Sequence, residues 1–249
     1  MKDNDQTHFG FSHVSAAEKT RRVRAVFESV ASKYDLMNDL MSVGLHRLWK
    51  RQAVARLDVR PTHTILDLAG GTGDMTRLIK RQLDSQGHVI LSDINTVMLE
   101  QGRDRLLDEG LTHGIDYVQN DAESLPFPDC SLDRICMAFG LRNVTDKHAA
   151  LRSAYRALHY GGQFLILEFS QLQLGTLVPL YDAYSFRWLP WLGQTMADDA
   201  DSYRYLAESI RRHPDQATLT DMLQQAGFGR VVCTNLAGGI VAIHQAWKI

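Results

Sequence analysis

What the sequence lacks narrows its class first. No apolar run is long enough to cross a bilayer, and the start MKDNDQTHFG is not built like a signal peptide. Three cysteines occur, Cys130, Cys136 and Cys233, with no CxxC pair. They read as reduced packing residues of a cytoplasmic protein rather than as disulfides or metal ligands. None of the histidines is spaced as HxH or HxxxH, so no metal is expected. The net charge of −2 and the lack of a basic run with interleaved aromatics argue against nucleic acid as a partner. There are no internal repeats, low-complexity segments or evident linkers.

What is present is ordinary for a globular chain: 249 residues, 45% hydrophobic and 22% charged, enough for one large domain or one domain plus a helical appendage, and with no linker in sight a single domain over 1–249 is expected. Residues 1–60 read as helical, since Val23, Val26, Phe27 and Val30 share one stripe and Leu45, Leu48, Trp49 and Ala53 another. Strands are expected at Thr64–Leu68, Val89–Asp93, Tyr117–Gln119, Arg134–Phe139 and Gln163–Phe169. Helices fit at Gly73–Ser85, Asn95–Glu109 and Lys147–His159. This alternation predicts an α/β fold with a parallel sheet covered on both faces. Residues 61–170 form that core, 171–228 its substrate-side helices, and 229–249 a hairpin around Gly238-Gly239. A second helix after Pro214-Asp215 stops at Gly227.

The segment ILDLAGGTGD, Ile65–Asp74, runs from an apolar strand through glycines into a helix. Gly70, Gly71 and Gly73 let a ligand press against bare backbone, and Thr72 between them is a further cofactor-binding candidate with Gly71 and Gly73. Asp67 precedes this loop, as in the D-x-G-x-G-x-G motif of S-adenosylmethionine enzymes, although Ala69 stands where many of them have glycine. Asp93 closes the second strand, where a carboxylate can accept both ribose hydroxyls of an adenosine. Asp121 follows the third strand and can accept from an adenine amino group, with the Ala122 amide meeting a ring nitrogen. Each acid could instead cap a helix or sit in a loop. Together at successive strand tips they point to a nucleoside site.

Two features count against a dinucleotide. Thr76 occupies the third glycine place of G-x-G-x-x-G, and an antiparallel hairpin ends the sheet. Both suit the class I S-adenosylmethionine-dependent methyltransferase fold, Rossmann-like with seven strands. No Asn/Asp-Pro-Pro-Tyr/Phe quartet is present and none of the six prolines precedes a cysteine, so DNA-methylating chemistry is not indicated.

The fourth strand ends in AFGLRNVTD, Ala138–Asp146. An arginine beside a core strand needs a partner. Arg142 either serves the acceptor site or pairs structurally with Asp146 or Glu168.

The motifs ILDLAGGTGD, AESLPFPD, FGLRNVTD, LYDAYSF and SYRYLAESIRRHPDQ resemble those of the ubiquinone/menaquinone biosynthesis C-methyltransferase family. VASKYDLMNDLMSVGLHRLWK and NLAGGIVAIH match it too, so the resemblance runs from about Phe9 to Ile249. It implies S-adenosyl-L-methionine as cofactor and C-methylation of a polyprenylated quinol, demethylmenaquinol or 2-methoxy-6-polyprenyl-1,4-benzoquinol. Ala138 stands where some members have serine beside the cofactor. Arg142 would hold the developing phenolate, directly or through a water that Asn143 positions. An arginine stays protonated, so the proton leaves through water or a carboxylate, with Asp182 and Tyr181 as candidates and His46 after them. Tyr34-Asp35 resemble a lid over the cofactor, and the aromatics through Trp188 and Trp191 form either core or a groove for the isoprenoid tail. A quinol partner that partitions into lipid implies peripheral contact with the cytoplasmic membrane. Contact with other quinone-biosynthesis enzymes and a homodimer are compatible with the resemblance. A methyltransferase for another lipid-like acceptor and a nucleoside-binding component without chemistry stay open, with a nicotinamide-dependent dehydrogenase more distant.

Overall fold

The computed structural model describes residues 6–30, 38, 39, 42, 44–172 and 200–249. Seven strands form one sheet: β3 (Thr64–Leu68), β4 (His88–Asp93), β5 (Ile115–Gln119), β6 (Leu132–Ala138), β7 (Leu158–Phe169), β8 (Arg230–Leu236) and β9 (Val241–Trp247). Their order is β5-β4-β3-β6-β7-β9-β8. β5 through β7 run parallel, and β9 enters antiparallel between β7 and β8. This is the seven-stranded class I methyltransferase arrangement, and the expected strands and C-terminal hairpin are present.

Burial on both faces explains the unbroken apolar runs. Along β3, Ile65 packs with Trp49, Ala53 and Val54 of α2 (His46–Arg56) and with Met75 and Ile79 of α3 (Asp74–Lys80). Its neighbours Leu66 and Leu68 face the other way, toward Leu151 and Ala154 of α5 (Lys147–Ala157) and Leu219 and Leu223 of α7 (Gln216–Gln225). Each such Leu or Ile contributes about 1.5–3 kcal/mol when fully covered. α4 (Thr96–Asp108) lays Leu99 and Leu106 on Leu91 of β4. Three of these helices begin on acceptors that the sequence displays: Asn95 takes the amides of Val97 and Met98, Asp146 that of Ala149, and Asp215 that of Thr218. Such a cap is worth about 1 kcal/mol.

The expectation of a wholly helical N-terminus is corrected at residues 6–15. There β1 (Gln6–Phe9) and β2 (Ser12–Ser15) pair antiparallel around Gly10-Phe11, and α1 (Ala16–Val30) starts only afterwards. A lone two-stranded ribbon is marginal in water, and tertiary contacts hold this one. The Phe9 ring stacks on Tyr205 of α6 (Ala200–Arg212) at 4.1 Å, and the Phe11 amide donates to Glu208 Oε2 at 3.1 Å. No local pattern encodes those contacts. Two helices end earlier than expected: α3 stops at Lys80, and α5 gives way to β7 at Leu158.

The sheet winds outward from β3 in both directions, to β4 and β5 on one side and β6 and β7 on the other. In open α/β sheets the crevice at the carboxyl ends of strands beside such a reversal is where ligands bind.

Candidate active site

A cleft opens at those strand ends, with about 900 Å³ of empty space counting its mouth. Its floor is the turn after β3, where Ala69 and Gly71 both adopt φ of +54° and Gly73, at +80°, starts α3. A left-handed alanine costs about 1–2 kcal/mol, which accounts for the glycine many enzymes carry at that place. Here the Ala69 methyl lies against bare backbone, since a Cβ on Gly140 would come within 2.8 Å of it.

Asp67 builds this turn from behind. Its Oδ2 accepts the Thr76 amide at 2.9 Å and the Thr76 hydroxyl at 2.7 Å, tying the end of β3 to the first turn of α3. Complete burial pushes its carboxyl up to about 6 against those two bonds. Asp93 meets the turn from β4. Its Oδ2 accepts from the Gly71 amide at 3.0 Å and its Oδ1 from the Asn95 amide at 2.9 Å, while burial raises its pKa. Each oxygen thus carries one fixed donor and retains lone-pair capacity toward the cleft, which suits vicinal hydroxyls. Asp121 is exposed at the tip of β5, where Oδ1 takes the Glu123 amide at 2.9 Å.

Of the residues singled out from the sequence, Gly71, Asp93, Asp121, Ala122 and Asn143 line the cleft. Asp67, Thr72, Gly73 and Ala138 shape the strand ends and the turn around it. Tyr181 and Asp182 lie outside the described residues, as do Tyr34, Asp35, Trp188 and Trp191. His46 is buried against Ser42, with its pKa lowered by burial, and does not line the cleft.

After β6 the chain passes through Phe139, at φ +59°, and Gly140 into a single 3-10 turn, Leu141–Asn143. Arg142 turns inward there. Its Nη1 donates to Glu168 Oε1 at 2.8 Å and to the Phe139 carbonyl, its amide donates to Glu168 Oε2 at 3.2 Å, and its guanidinium lies 5.6 Å from the Phe169 ring centre. Both side chains of this ion pair are only 2% exposed. Of the two structural partners open to Arg142, Glu168 is the one taken, and Asp146 caps α5 instead. Arg142 Nε is buried without a partner among the described residues. Asn143, next in sequence, faces the cleft, and its Oδ1 accepts from the Tyr205 hydroxyl at 3.0 Å.

Other residues at the cleft escape a sequence reading. Val23 and Phe27 of α1 form one wall, the same stripe that reads as ordinary helix packing. α1 is pinned there by Lys19 Nζ on the Val144 carbonyl (3.1 Å) and Arg24 Nη2 on the Ile94 carbonyl (3.3 Å). Asn120 borders the cleft with both amide atoms buried and unpartnered among the described residues. Gly102 of α4 packs so closely under the turn that a Cβ would stand 2.6 Å from the Gly71 carbonyl oxygen. An isolated glycine inside a helical pattern was the available signal for it.

The family model described as the ubiE/COQ5 methyltransferase family matches residues 15–248. Ubiquinone/menaquinone biosynthesis C-methyltransferase UbiE of Vibrio campbellii is 57% identical over 246 residues, 99% of this chain and 95% of that protein. The protein of the same description from Methylococcus capsulatus is 56% identical over 248 residues, 100% of both chains. Among solved structures, a SAM-dependent methyltransferase from Thermotoga maritima superposes with a TM-score of 0.64 at 20% identity, covering 90% of this chain and 99% of that one. Another from Aquifex aeolicus gives 0.63 at 15% identity, covering 86% and 98%. These two share the fold.

Proposed function

The chain belongs to the ubiE/COQ5 methyltransferase family, and from that premise we propose how its residues divide the work. It is an S-adenosylmethionine-dependent C-methyltransferase of ubiquinone and menaquinone biosynthesis. S-adenosylmethionine, when bound, supplies a methyl group on an electrophilic sulfonium.

The cleft fits that molecule chemically. Asp93, fixed by two backbone donors, receives the ribose hydroxyls, and burial strengthens those bonds. Asp121 and the Ala122 amide would hold the adenine edge, and Leu68 and Met98 add apolar lining to the same cleft. Gly71, Thr72 and Gly73 offer bare backbone, and Asp67 holds that backbone in place through Thr76. Ala138 ends the strand beside the site. α1 closes one side and keeps water from the reacting atoms.

The acceptor is a quinol ring carbon, nucleophilic only when a ring hydroxyl has lost, or is losing, its proton. Asn143 contacts that ring oxygen from the cleft wall. Arg142 stands behind it as an enclosed cation whose charge Glu168 balances and whose orientation Phe139 and Glu168 fix. Because arginine stays protonated, it orients and stabilises rather than accepting the proton. Water or a carboxylate takes that proton, Asp182 with Tyr181 being our assignment.

The observation that carries this reading is one cleft lined by both the carboxylate of Asp93 and the amide of Asn143, next to the buried pair. The test is transfer of a labelled methyl group to a short-chain quinol, with calorimetry of cofactor binding. Arg142→Ala should lower turnover by ~100-fold while the cofactor Kd changes only a few-fold. Near-normal turnover in that variant would remove Arg142 from the mechanism.

Among the described residues no helix is long and apolar enough to cross a membrane. The polyprenyl tail of the substrate partitions into lipid, so we infer contact with the cytoplasmic membrane surface. Flotation with liposomes should carry the enzyme upward when quinol is present, and failure to float would count against that contact.

A further inference from the structure

A carboxamide presents a donor at one end and an acceptor at the other, so its usefulness at a site depends on which end is committed elsewhere. At Asn143 the acceptor end is committed. Oδ1 takes the Tyr205 hydroxyl at 3.0 Å, and Nδ2 has no hydrogen-bond partner among the described residues. Tyr205 is itself held. It is 3% exposed, and its ring lies face to face with Phe9, with an interplanar angle of 11°. Burial raises its phenol far above the usual value, so it remains a hydroxyl donor at any working pH.

We propose that Tyr205 is a positioning residue that fixes the Asn143 carboxamide with its N–H directed at the ring oxygen of the quinol. This rests on the reading above that Asn143 faces the acceptor. An N–H aimed at that oxygen favours its ionised form over the hydroxyl, because the ionised oxygen is the stronger acceptor. Losing the orientation therefore slows the chemical step and raises the pH at which the bound quinol ionises, with cofactor binding untouched.

Tyr205→Phe keeps the stacked ring and removes only the hydroxyl. It should lower kcat about tenfold, move the acid limb of the kcat–pH profile to higher pH, and leave the cofactor Kd and the unfolding temperature nearly unchanged. In an Asn143→Ala background the same substitution should add nothing, since Tyr205 acts through that amide. Asn143→Asp keeps an acceptor for Tyr205 but has no N–H, and it should fall as far as Asn143→Ala. Wild-type kcat in Tyr205→Phe alongside a slow Asn143→Ala overturns the role of Tyr205 and leaves Asn143 in place. Additive losses in the double variant, or full activity in Asn143→Asp, overturn it as well. If Asn143→Ala itself turns over normally, the placement of Asn143 against the acceptor falls, and the proposal with it.

Discussion

Replacing Arg142 tests two roles at once, and the structure separates them. Arg142→Met leaves Glu168, 2% exposed, with only the backbone amides of residues 142 (3.2 Å) and 169 (2.9 Å) as donors among the described residues. Stranding one member of a buried pair costs about 3–5 kcal/mol. For a chain of this size that lowers Tm by roughly 10 °C. An exposed pair is a useful contrast. Arg21 sits 2.7 Å from Glu18 but is 75% exposed, and Arg21→Ala should leave the unfolding temperature essentially unchanged. The double variant Arg142→Met/Glu168→Gln removes both charges; because the amides of residues 142 and 169 bond different carboxylate oxygens, the glutamine oxygen keeps one of them and its NH2 leaves the other unpaired. It should recover all but about 1–2 kcal/mol. Turnover should not recover with it, because the enclosed cation is gone. Thermal unfolding and labelled-methyl transfer on the same preparations decide the matter. A loss below about 1 kcal/mol in the single variant would show that the pair is not desolvated as its burial indicates. Restored turnover in the double variant would reduce Arg142 to architecture.

Three further outcomes follow from the cleft. Asp93→Asn keeps the shape but weakens the acceptor of the ribose hydroxyls, and calorimetry should find the cofactor Kd raised at least tenfold, about 1.4 kcal/mol. Gly102→Ala should favour the helix by about 1 kcal/mol, yet its Cβ would press on the Gly71 carbonyl from 2.6 Å; cofactor affinity should fall at a residue outside the cleft, and an unchanged Kd would refute the close approach. Asp67, pushed up to about 6 from 3.8, binds its proton more tightly folded than unfolded. Its stabilising contribution is therefore full below pH ~4 and lost as pH rises through ~6, a swing of about 3 kcal/mol. Urea unfolding of Asp67→Asn across pH 4–7 should lack that swing.

The core was legible because its signals are local and strong. β3 falls at Thr64–Leu68 as expected, since four of its five residues are buried and glycines end the run. Asp93 and Gly71 share the cleft for the same reason: strand tips next to a topological reversal converge whatever the loops do. The N-terminal ribbon was not legible, because Phe9 is held by Tyr205 and the Phe11 amide by Glu208, both nearly two hundred residues away. Asp67 shows a different gap. Its place before the turn was readable, but that its oxygen is taken by Thr76 depends on how α3 folds back. The choice of Glu168 over Asp146 for Arg142 likewise follows from adjacency of β6 and β7 in the sheet.

The cleft gathers Val23 from the first helix, Gly71 from the turn, Asp93 from the end of β4, Asn120 just past β5, and Thr145 between the 3-10 turn and α5. A molecule that touches all of them belongs to the folded form alone, so it acts as a folding ligand as well as a reactant. At a hundredfold excess over its Kd it adds about 2.7 kcal/mol to the folded state. The lifetime of the enzyme in a cell is thereby tied to the supply of its methyl donor. Donor starvation would slow quinone methylation twice, once by withholding the methyl group and once by releasing the protein to degradation.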